Sequence, residues 1–353
     1  MTLQLIEPTD KEIEAVSWSE IKTFQRCPKQ HDYKYIQRLV PNKKSRPLYL
    51  GSWVHAALQT HYAEGDWKRG SQVFIDDWNK LFDEERLALQ TRGRQVSKPL
   101  PEIVEQIMKS YIWYYRNQNW RVVATEQEFL VPTPLVINGK VQWLKGIIDL
   151  IVEDEDSNRW VIDHKTAGTI PEATAFHAMD PQLMLYPWAA KLAWKWEIAG
   201  VIYNYVKSRP PSIPRINRDG TLSKRKVVTD YPTLYRFLKR EGYDPNDFAH
   251  ILRPLSKRSP FLRQYRYPRE HIVTKEILLD ALSVTKHIRT DKRRSRTITR
   301  ECATMCSYHQ LCRAELNGMN TDMMRKTMFT LKEVSSFGDR SHSYEDDWDD
   351  SSE

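Results

Sequence analysis

Two aspartates on neighbouring predicted strands are the residues best placed to do chemistry. Residues 143–166 are predicted to form two strands around an acidic turn, with Asp149 on the first strand and Asp163 on the second. If the turn is centred on Asp156, each aspartate lies seven residues from the centre, and their Cβ atoms face each other about 4.5–5.5 Å apart. Carboxylates that close repel each other unless a cation lies between them. The hairpin therefore predicts a site for Mg²⁺ or Mn²⁺, which favour hard oxygen ligands.

A lysine two residues after Asp163 adds a positive charge to the same predicted face, because side chains alternate along a strand. Lys165 could stabilise negative charge developing on a phosphate, or help to orient an attacking water molecule. Leu150, Val152 and Ile162 fall on the opposite face and are predicted to pack into a core. The alternative is a surface hairpin in which Asp163 and Lys165 form an ordinary salt bridge.

Motifs on both sides of the hairpin give the chain a resemblance to a nuclease family. Asp149 is followed, after thirteen residues, by the sequence Asp-His-Lys-Thr, which begins at Asp163. This pattern resembles the PD-(D/E)XK nucleases in their RecB-like form. Three further motifs of that form are matched by Ser17 to Cys27-Pro28, by Gly51-Ser-Trp-Val-His55 and by Gln182-Leu-Met-Leu-Tyr186. The resemblance implies an α/β, restriction-endonuclease-like core with a mixed β-sheet flanked by helices.

The resemblance also implies a metal site and a catalytic residue. Asp149 and Asp163 would bind the metal ion together with the imidazole of His55 and the backbone carbonyl of His164. Lys165 would be the catalytic lysine. These roles depend on the match to the family motifs at each position.

The remaining matched residues concern DNA and a further carboxylate. Gln182 and Tyr186 lie four residues apart, on one face of a predicted helix, and would contact the DNA backbone and order the site. Glu126, on the strand before the hairpin, is a weaker candidate for an extra carboxylate, because Glu128 competes for that position.

The four cysteines of the chain are Cys27, Cys302, Cys306 and Cys312. In a reducing compartment, four thiolates favour an iron–sulfur cluster or zinc over two disulfides. One upstream and three C-terminal cysteines resemble the iron-staple nucleases, which include AddB-type and CRISPR-associated RecB-like exonucleases. That resemblance implies a [4Fe–4S] cluster clamping the N-terminal helix to the C-terminal segment. The spacing C-x₃-C-x₅-C departs by one residue from the usual C-x₂-C-x₅-C, which leaves zinc open.

Local patterns predict the order of the elements. A helix is expected to start at Ser17, with others at 50–62, 76–90, 103–117, 182–196 and 274–289, and a strand at 200–206. We divide the chain into an N-terminal helical region (1–120), a nuclease core (121–290), a basic, cluster-binding segment (291–318) and a tail (319–353) with an acidic, disordered end. This division makes residues from both ends of the chain part of one cysteine cluster.

Charge favours a polyanionic partner. The formal charge is +8, and residues 338–353 contribute −6, which leaves +14 on the rest of the chain. Residues 207–226 and 286–300 each contain seven basic residues and one aspartate, and could follow phosphates beside the carboxylates. The sequence contains neither an eighteen-residue apolar run nor an N-terminal secretory signal, so we predict no membrane association and a cytoplasmic location in a prokaryotic or phage-infected cell.

The sequence thus predicts a Mg²⁺- or Mn²⁺-dependent DNA exonuclease that acts on DNA ends or single strands, in recombination, repair or phage DNA metabolism. Because the chain has no phosphate-binding loop of the G-x-x-x-x-G-K-[ST] kind, unwinding would need a separate helicase or recombination protein. Two alternatives stay open: a non-catalytic DNA-binding or scaffolding protein on the same fold, and the same nuclease with structural zinc in place of the cluster.

Overall fold

A six-stranded mixed sheet forms the centre of this computed structural model, which describes residues 13–42, 45–92, 95–172, 179–217, 221, 228–268 and 274–332. The strands follow the order β1 (Glu14–Ser17), β6 (Lys140–Glu153), β7 (Arg159–Ala167), β8 (Gly200–Lys207) and β9 (Leu262–Pro268), and β5 (Arg121–Ile137) also pairs with β6. Two small sheets pair β2 (Leu39–Pro41) with β10 (Phe329–Leu331), and β3 (Thr91–Arg92) with β4 (Gln95–Val96). The mixed sheet of an α/β fold is confirmed.

Helices cover both faces of the sheet. Six precede the hairpin: α1 (Trp18–Arg26), α2 (Pro28–His31), α3 (Arg46–Glu64), α4 (Trp67–Lys80), α5 (Asp83–Gln90) and α6 (Leu100–Tyr115). The others are α7 (Pro181–Trp194), α8 (Tyr231–Arg240), α9 (Ala249–Lys257), α10 (Thr274–Thr290), α11 (Cys302–Met305), α12 (His309–Leu316) and α13 (Asp322–Met328), with a π-helix at Asp32–Ile36 and a 3₁₀-helix at Pro245–Phe248. No helix in these described ranges is long and apolar enough to cross a bilayer.

Local signals explain where some of the helices begin. The Ser17 hydroxyl accepts a hydrogen bond from the Glu20 N–H at 3.1 Å and caps α1, as its position predicted. The single helix expected at 76–90 is wrong, because α4 ends at Lys80 and α5 starts at Asp83. The backbone of Phe82 is extended, and its N–H donates to the Glu85 side chain at 3.0 Å. An acidic first turn therefore starts a new helix there.

The long strand β6 changes partner along one edge. β5 pairs along its other edge, from residue 140 to residue 153. On the changing edge, β1 runs parallel to residues 142–145, and β7 runs antiparallel to residues 150–153. Residues 146–149 lie between these two ladders. On this edge of β6, residues 146–149 therefore pair with neither β1 nor β7, and Asp149 is the last residue of this unpaired stretch.

Two cores lie on the two sides of the sheet. On one side, Ile148 and Val161 pack with Ile21 of α1, Leu183 of α7 and Ala281 of α10. On the other side, Tyr62 of α3 packs against a buried group consisting of Leu150, Val152, Ile162 and Ile202, which confirms the apolar face predicted for the hairpin. Helices α3, α4 and α6 share a further core beside this face. The hairpin is therefore buried between two layers of helices.

A segment near the N-terminal end of the described chain pairs with its C-terminal end in a separate small sheet. The antiparallel pairing of β2 and β10 aligns Leu39 with Leu331 and Pro41 with Phe329. A small core of Tyr33, Leu39, Tyr308, Leu311 and Phe329 lies beside this pair, and Cys306 and Cys312 pack against it. The predicted division into four segments stays a prediction.

Candidate metal and active site

The β6–β7 hairpin has the register that the sequence predicted. The ladder ends at Leu150 and Ile162, one position before Asp149 and Asp163, so the aspartates occupy the next opposed position. The two carboxylates are nevertheless held differently. The His164 backbone N–H donates to Asp149 Oδ2 at 2.7 Å. This hydrogen bond fixes Asp149 at the end of the stretch of β6, residues 146–149, that pairs with neither β1 nor β7. Asp163 is more deeply buried, with only 3% of its surface exposed.

Three side chains from three different elements form a group with metal-binding geometry. His55 of α3, Glu126 of β5 and Asp149 of β6 each offer a ligand atom, and these atoms all lie within 4.8 Å of one another. His55 Nδ1 is 3.6 Å from Asp149 Oδ2. Across the part of the chain that the structure describes, no other group of three or more histidines, cysteines and acidic residues is this compact. The donor set, one nitrogen and two carboxylates, suits a divalent cation.

Glu126 belongs to this group because the backbone of β5 is irregular there. Its φ angle is 47°, a left-handed conformation that is unfavourable for a residue with a Cβ atom. The residues on either side of it pair with Ile148 and Leu150, so Glu126 stands opposite Asp149. Glu128 pairs further along β6 and is outside the metal-binding group. Of the two glutamates between which the sequence left some doubt, Glu126, the residue we had named as a candidate for an extra carboxylate, lies in the metal-binding group.

His55 is buried in a neutral form. Burial, followed by the positive charge of Lys165, lowers its pKa to about 3, although a hydrogen bond with the His164 backbone acts in the opposite direction. At neutral pH the imidazole therefore carries no charge and has a lone pair available for a metal ion. This supports the ligand role that the resemblance implied.

Lys165 forms an ion pair with Asp163 and keeps its charge. Its Nζ atom lies 3.2 Å from Oδ1 and 3.0 Å from Oδ2 of Asp163. The pKa of Asp163 is raised to about 7, because burial and the charge of Asp149 raise it by more than the charge of Lys165 lowers it. Burial lowers the pKa of Lys165, but the carboxylates of Asp163, Asp180 and Asp149 outweigh this effect and raise it. The salt bridge of the alternative interpretation is present, but its Asp163 side chain is buried and its Lys165 side chain is partly buried, so it is not an ordinary surface salt bridge.

Asp180 is part of this site, and our sequence analysis missed it. It caps α7, where its carboxylate accepts the Gln182 N–H at 3.0 Å. It also forms a hydrogen bond with Tyr203, which lies beside Asp163 in the β7–β8 ladder. The sequence Asp-Pro just before a helical pattern is a helix-start signal, and it could have identified the cap. The contribution of Asp180 to the charge around Lys165 is visible only in the fold.

Gln182 and Tyr186 lie on one face of α7, as the spacing predicted. Gln182 Nε2 donates to the Tyr186 hydroxyl at 2.6 Å. The Tyr186 ring packs edge-on against Phe129 with centroids 6.0 Å apart, and its side chain is buried in the core. A contact between these residues and DNA stays a prediction.

The imidazole of His164 packs edge-on against the His55 ring, with centroids 5.8 Å apart, and its polar contacts lie on the side of Asn204. Its Nδ1 is 2.7 Å from Nδ2 of Asn204, and the same amide nitrogen donates to the Tyr111 hydroxyl at 2.8 Å. The ring stacks on Tyr62 with centroids 5.9 Å apart. His164 therefore contributes its backbone to the site and its imidazole to a buried network behind it. Its carbonyl as a metal ligand stays a prediction.

The cysteines converge from both ends of the chain around one extended segment. The N–H of Thr297 points to Cys27 Sγ at 3.5 Å, and that of Thr299 points to Cys302 Sγ at 3.4 Å. Arg296 Nε donates to Cys312 Sγ at 3.3 Å.

Cys306 belongs to the same neighbourhood. Burial raises the pKa of its thiol, and the charges of Cys27 and Cys302 raise it further. The four thiols do not form a compact single-ion group of the kind found at Asp149, since no three of their sulfur atoms lie within 4.8 Å of one another. An iron–sulfur cluster is thus not shown.

Some basic residues of the stretch at 286–300 form hydrogen bonds within the protein and are therefore not all available to bind phosphates. Arg289 donates to the Gln142 side chain at 3.1 Å and to the Ala15 carbonyl at 2.9 Å. Arg296 donates to Glu315 at 2.9 Å as well as to a cysteine. Arg289 thus joins α10 to β1 and β6, and Arg296 joins the segment before the cysteines to α12. Part of the stretch at 207–226 lies outside the described residues, so the predicted phosphate-binding groove stays a prediction.

Comparison with known proteins supports a nuclease. The family model for the PD-(D/E)XK nuclease superfamily matches residues 15–313, which include the hairpin, the histidine and all four cysteines. A solved structure described as the crystal structure of SSO0001 aligns with 85% of this chain and 86% of that chain, at 16% identity and a TM-score of 0.33. No curated protein matches the sequence significantly. The assignment of a family therefore depends on the family model.

Proposed function

Because this chain belongs to the PD-(D/E)XK nuclease superfamily, whose members use divalent metals, we propose that it is a Mg²⁺- or Mn²⁺-dependent exonuclease acting on DNA ends or single-stranded DNA. The observation that carries the proposal is the compact group of His55, Glu126 and Asp149 beside the ion pair of the buried Asp163 and the partly buried Lys165. A non-catalytic DNA-binding protein would have no need for a buried carboxylate beside two partly buried ones and an ammonium group, because burying charge is costly.

The residues fit a hard divalent cation. Asp149 and Glu126 would supply oxygen ligands, and His55 a neutral nitrogen, with the His164 carbonyl and Asp163 as the further ligands that the family motif implies. A bound metal ion lowers the pKa of a coordinated water molecule and polarises the phosphate. The protein's own part is to hold these groups rigidly before any ion arrives. The hydrogen bond from the His164 N–H to Asp149 does this for one carboxylate.

Lys165 acts as a fixed positive charge. Its pKa is raised by three surrounding carboxylates, so it is protonated at neutral pH and is not a general base. Such a charge stabilises the additional negative charge on the phosphate in the transition state. Asp163 and Asp180 would hold the ammonium group in place, and Gln182 and Tyr186 would order the substrate backbone beside it.

We propose that the four cysteines bind a [4Fe–4S] cluster with a structural role. Four thiolates around one Zn²⁺, at Zn–S distances of about 2.3 Å, would lie within about 3.8 Å of one another. The cysteine sulfurs are spaced more widely than that, since no three lie within 4.8 Å, and a cluster presents separate iron atoms to its ligands. The N–H groups directed at three of the thiols also suit a cluster, whose sulfurs accept such bonds.

We place the activity in recombination, repair or phage DNA metabolism, with a separate helicase or recombination protein supplying single strands. An assay on end-labelled linear single strands and on circular single strands tests the exonuclease proposal. Wild-type protein with Mn²⁺ should degrade the linear strand from an end and leave the circle intact. Cleavage of the circle at a similar rate would show an endonuclease.

The lysine provides the matched test of catalysis. Lys165→Met should lower cleavage about 100-fold or more, since a charge directed at the transition state is lost. Lys191→Met removes an exposed lysine of α7 that is paired with Glu197, and should leave the rate unchanged. Equal cleavage by the Lys165→Met variant and the wild type would contradict the assignment. Absence of cleavage by the wild type with either metal would favour the DNA-binding alternative.

A further inference from the structure

A small cavity lies on the side of the sheet where Tyr62 and Trp120 pack against the apolar face of the hairpin. Its volume is about 220 Å³, which is below the roughly 300 Å³ at which pockets for drug-sized ligands begin. It therefore suits one planar ring system rather than a base pair. The cavity is lined by the end of α3, the end of α6 and the turn into β5, through His61, Tyr62, Ile112, Tyr115, Arg116, Gln118 and Trp120.

The walls of this cavity combine aromatic rings with polar atoms that lack partners. His61 Nδ1 and Gln118 Oε1 are both buried, and neither has a hydrogen-bond partner among the residues that the structure describes. Leaving such atoms buried and unpaired is unfavourable, because they have lost their hydrogen bonds to water. Burial lowers the pKa of His61, so its ring is neutral and offers a hydrogen bond without a charge. A ligand with a flat face and a polar edge would satisfy both features.

Positive charge and stacked rings continue from the cavity along the surface. The Arg116 guanidinium, which lines the cavity, lies 4.1 Å from the centroid of the Trp113 ring. Trp113 stacks on Tyr231 at 4.5 Å, and Tyr231 stacks on the partly exposed Tyr235 at 5.6 Å. Aromatic rings beside arginine are the usual platform for single-stranded nucleic acid, because every base has a π-face and every nucleotide a phosphate.

The cavity is connected to the metal group by one helix. His55 and Tyr62 both belong to α3 and are seven residues apart, which corresponds to about 10 Å along the helix axis. Single-stranded DNA covers such a distance in a few nucleotides. Tyr62 also stacks on His164, whose backbone holds Asp149.

We propose that this cavity receives one unpaired base of a single DNA strand, a few nucleotides from the phosphate at the metal group. The inference rests on the proposed function and adds a binding site to it. The base stacks against the aromatic wall formed with Trp120, and its polar edge meets His61 and Gln118. Arg116 faces the strand at the mouth of the cavity.

Position-specific fluorescence tests the site. Single-stranded oligonucleotides carrying 2-aminopurine at successive positions are bound to the full-length protein in EDTA, so that no strand is cut. One or two adjacent positions should change in intensity on binding. An abasic residue at that position should weaken binding about fivefold or more, as expected for the loss of one stacked base. A signal that is the same at all positions would overturn the proposal.

Variants separate this site from general affinity for DNA. Trp120→Leu and Arg116→Ala should remove the position-specific signal, and binding by these variants should no longer respond to the abasic substitution. Arg116 is exposed, so its variant keeps the test valid if Trp120→Leu does not fold. The control Arg240→Ala removes another exposed arginine, paired with Glu241, and should behave as the wild type. Equal loss of signal in the control would overturn the proposal.

Two further arms distinguish the source of the base and the cause of a failure. A 2-aminopurine mononucleotide should bind far more weakly than the oligonucleotide, and equal affinity would indicate a site for free nucleotides instead. Cleavage by wild-type protein with Mn²⁺ is measured in parallel. If the strand is cleaved without a position-specific signal, the base site alone fails. If the signal is present and no cleavage occurs with either metal, the proposed nuclease activity fails and the base site stands.

Discussion

The carboxylate site draws its residues from α3, β5, β6 and β7, and lies where β6 changes partner in the middle of the sheet. The cysteine region instead joins the two ends of the described chain around one extended segment, supported by the short β2–β10 pair. In the first region the fold positions the side chains, whereas in the second the side chains help to hold the fold. Substitutions should therefore affect catalysis in one region and stability in the other.

The largest effect is expected at Asp149. Asp149→Asn should lower cleavage at least about 100-fold, because a metal-binding carboxylate becomes a neutral amide. The asparagine oxygen can still accept the His164 N–H, so the thermal midpoint should barely change. Cleavage of an end-labelled strand and thermal unfolding measure the two quantities. Asp156→Asn, an exposed change in the turn of the same hairpin, is the control, and a similar loss of activity there would refute the distinction.

The complementary change is in the cysteine region. Cys302→Ala should remove the absorbance near roughly 400 nm that Cys-ligated iron–sulfur centres give, and should lower the thermal midpoint. The folded fraction should retain most of its cleavage rate, because the cluster takes no part in hydrolysis. Thr304→Ala, an exposed change in the same short helix, should keep colour and stability. Wild-type protein that is colourless and contains stoichiometric zinc would replace the cluster with the zinc alternative.

Substitution of the buried amide of Asn204 should affect both the stability of the fold and metal binding. Asn204→Leu leaves His164 and Tyr111 without their shared partner, which should reduce the free energy of unfolding by about 1–3 kcal/mol. It should also weaken Mn²⁺ binding about tenfold, because the His164 backbone contacts two ligand side chains. Gln264→Leu removes a 3.4 Å contact to the same amide and a 2.8 Å hydrogen bond from Gln118, but it leaves Asn204 paired with His164 and Tyr111, so metal affinity should change less. Unchanged metal affinity in Asn204→Leu, measured by calorimetry, would show that the network is purely structural.

The smallest predicted effect depends on pH. Burial raises the pKa of Glu315, but hydrogen bonding to Tyr33 and the charges of Lys29 and Arg325 outweigh this and lower it. A carboxyl group with a lowered pKa stabilises the fold above its unfolded pKa of about 4.3, and this contribution disappears as the pH falls through the folded value. Glu315→Gln should thus cost about 1–2 kcal/mol at pH 7.

Urea unfolding at several pH values measures this difference. The stabilities of wild type and Glu315→Gln should converge well below pH 4.3, where both side chains are neutral. The exposed change Glu301→Gln should have no effect at either extreme. A difference that persists unchanged in acid would mean that Glu315 stabilises the region by packing rather than by charge.

Much of the site could be predicted because it is local in sequence. The β6–β7 register depends on a short turn and on alternation, so the opposed positions of Asp149 and Asp163 followed from the residues themselves. The pair of Gln182 and Tyr186 followed from helical spacing in the same way. The helix expected at 76–90 failed because an apolar pattern continued across a break that the acidic start of α5 creates.

The amino-acid sequence by itself determined the hairpin, the helix caps and the membership of a nuclease family, because each depends on neighbours along the chain. Only the tertiary structure decided that Glu126 rather than Glu128 joins the metal group, since that choice depends on one left-handed residue in a long strand. Only the tertiary structure brought Asp180 close to Lys165 and Cys27 to the segment at 296–299. Those contacts join residues that are separated along the chain, and the periodicity of a helix or a strand carries no information about such contacts.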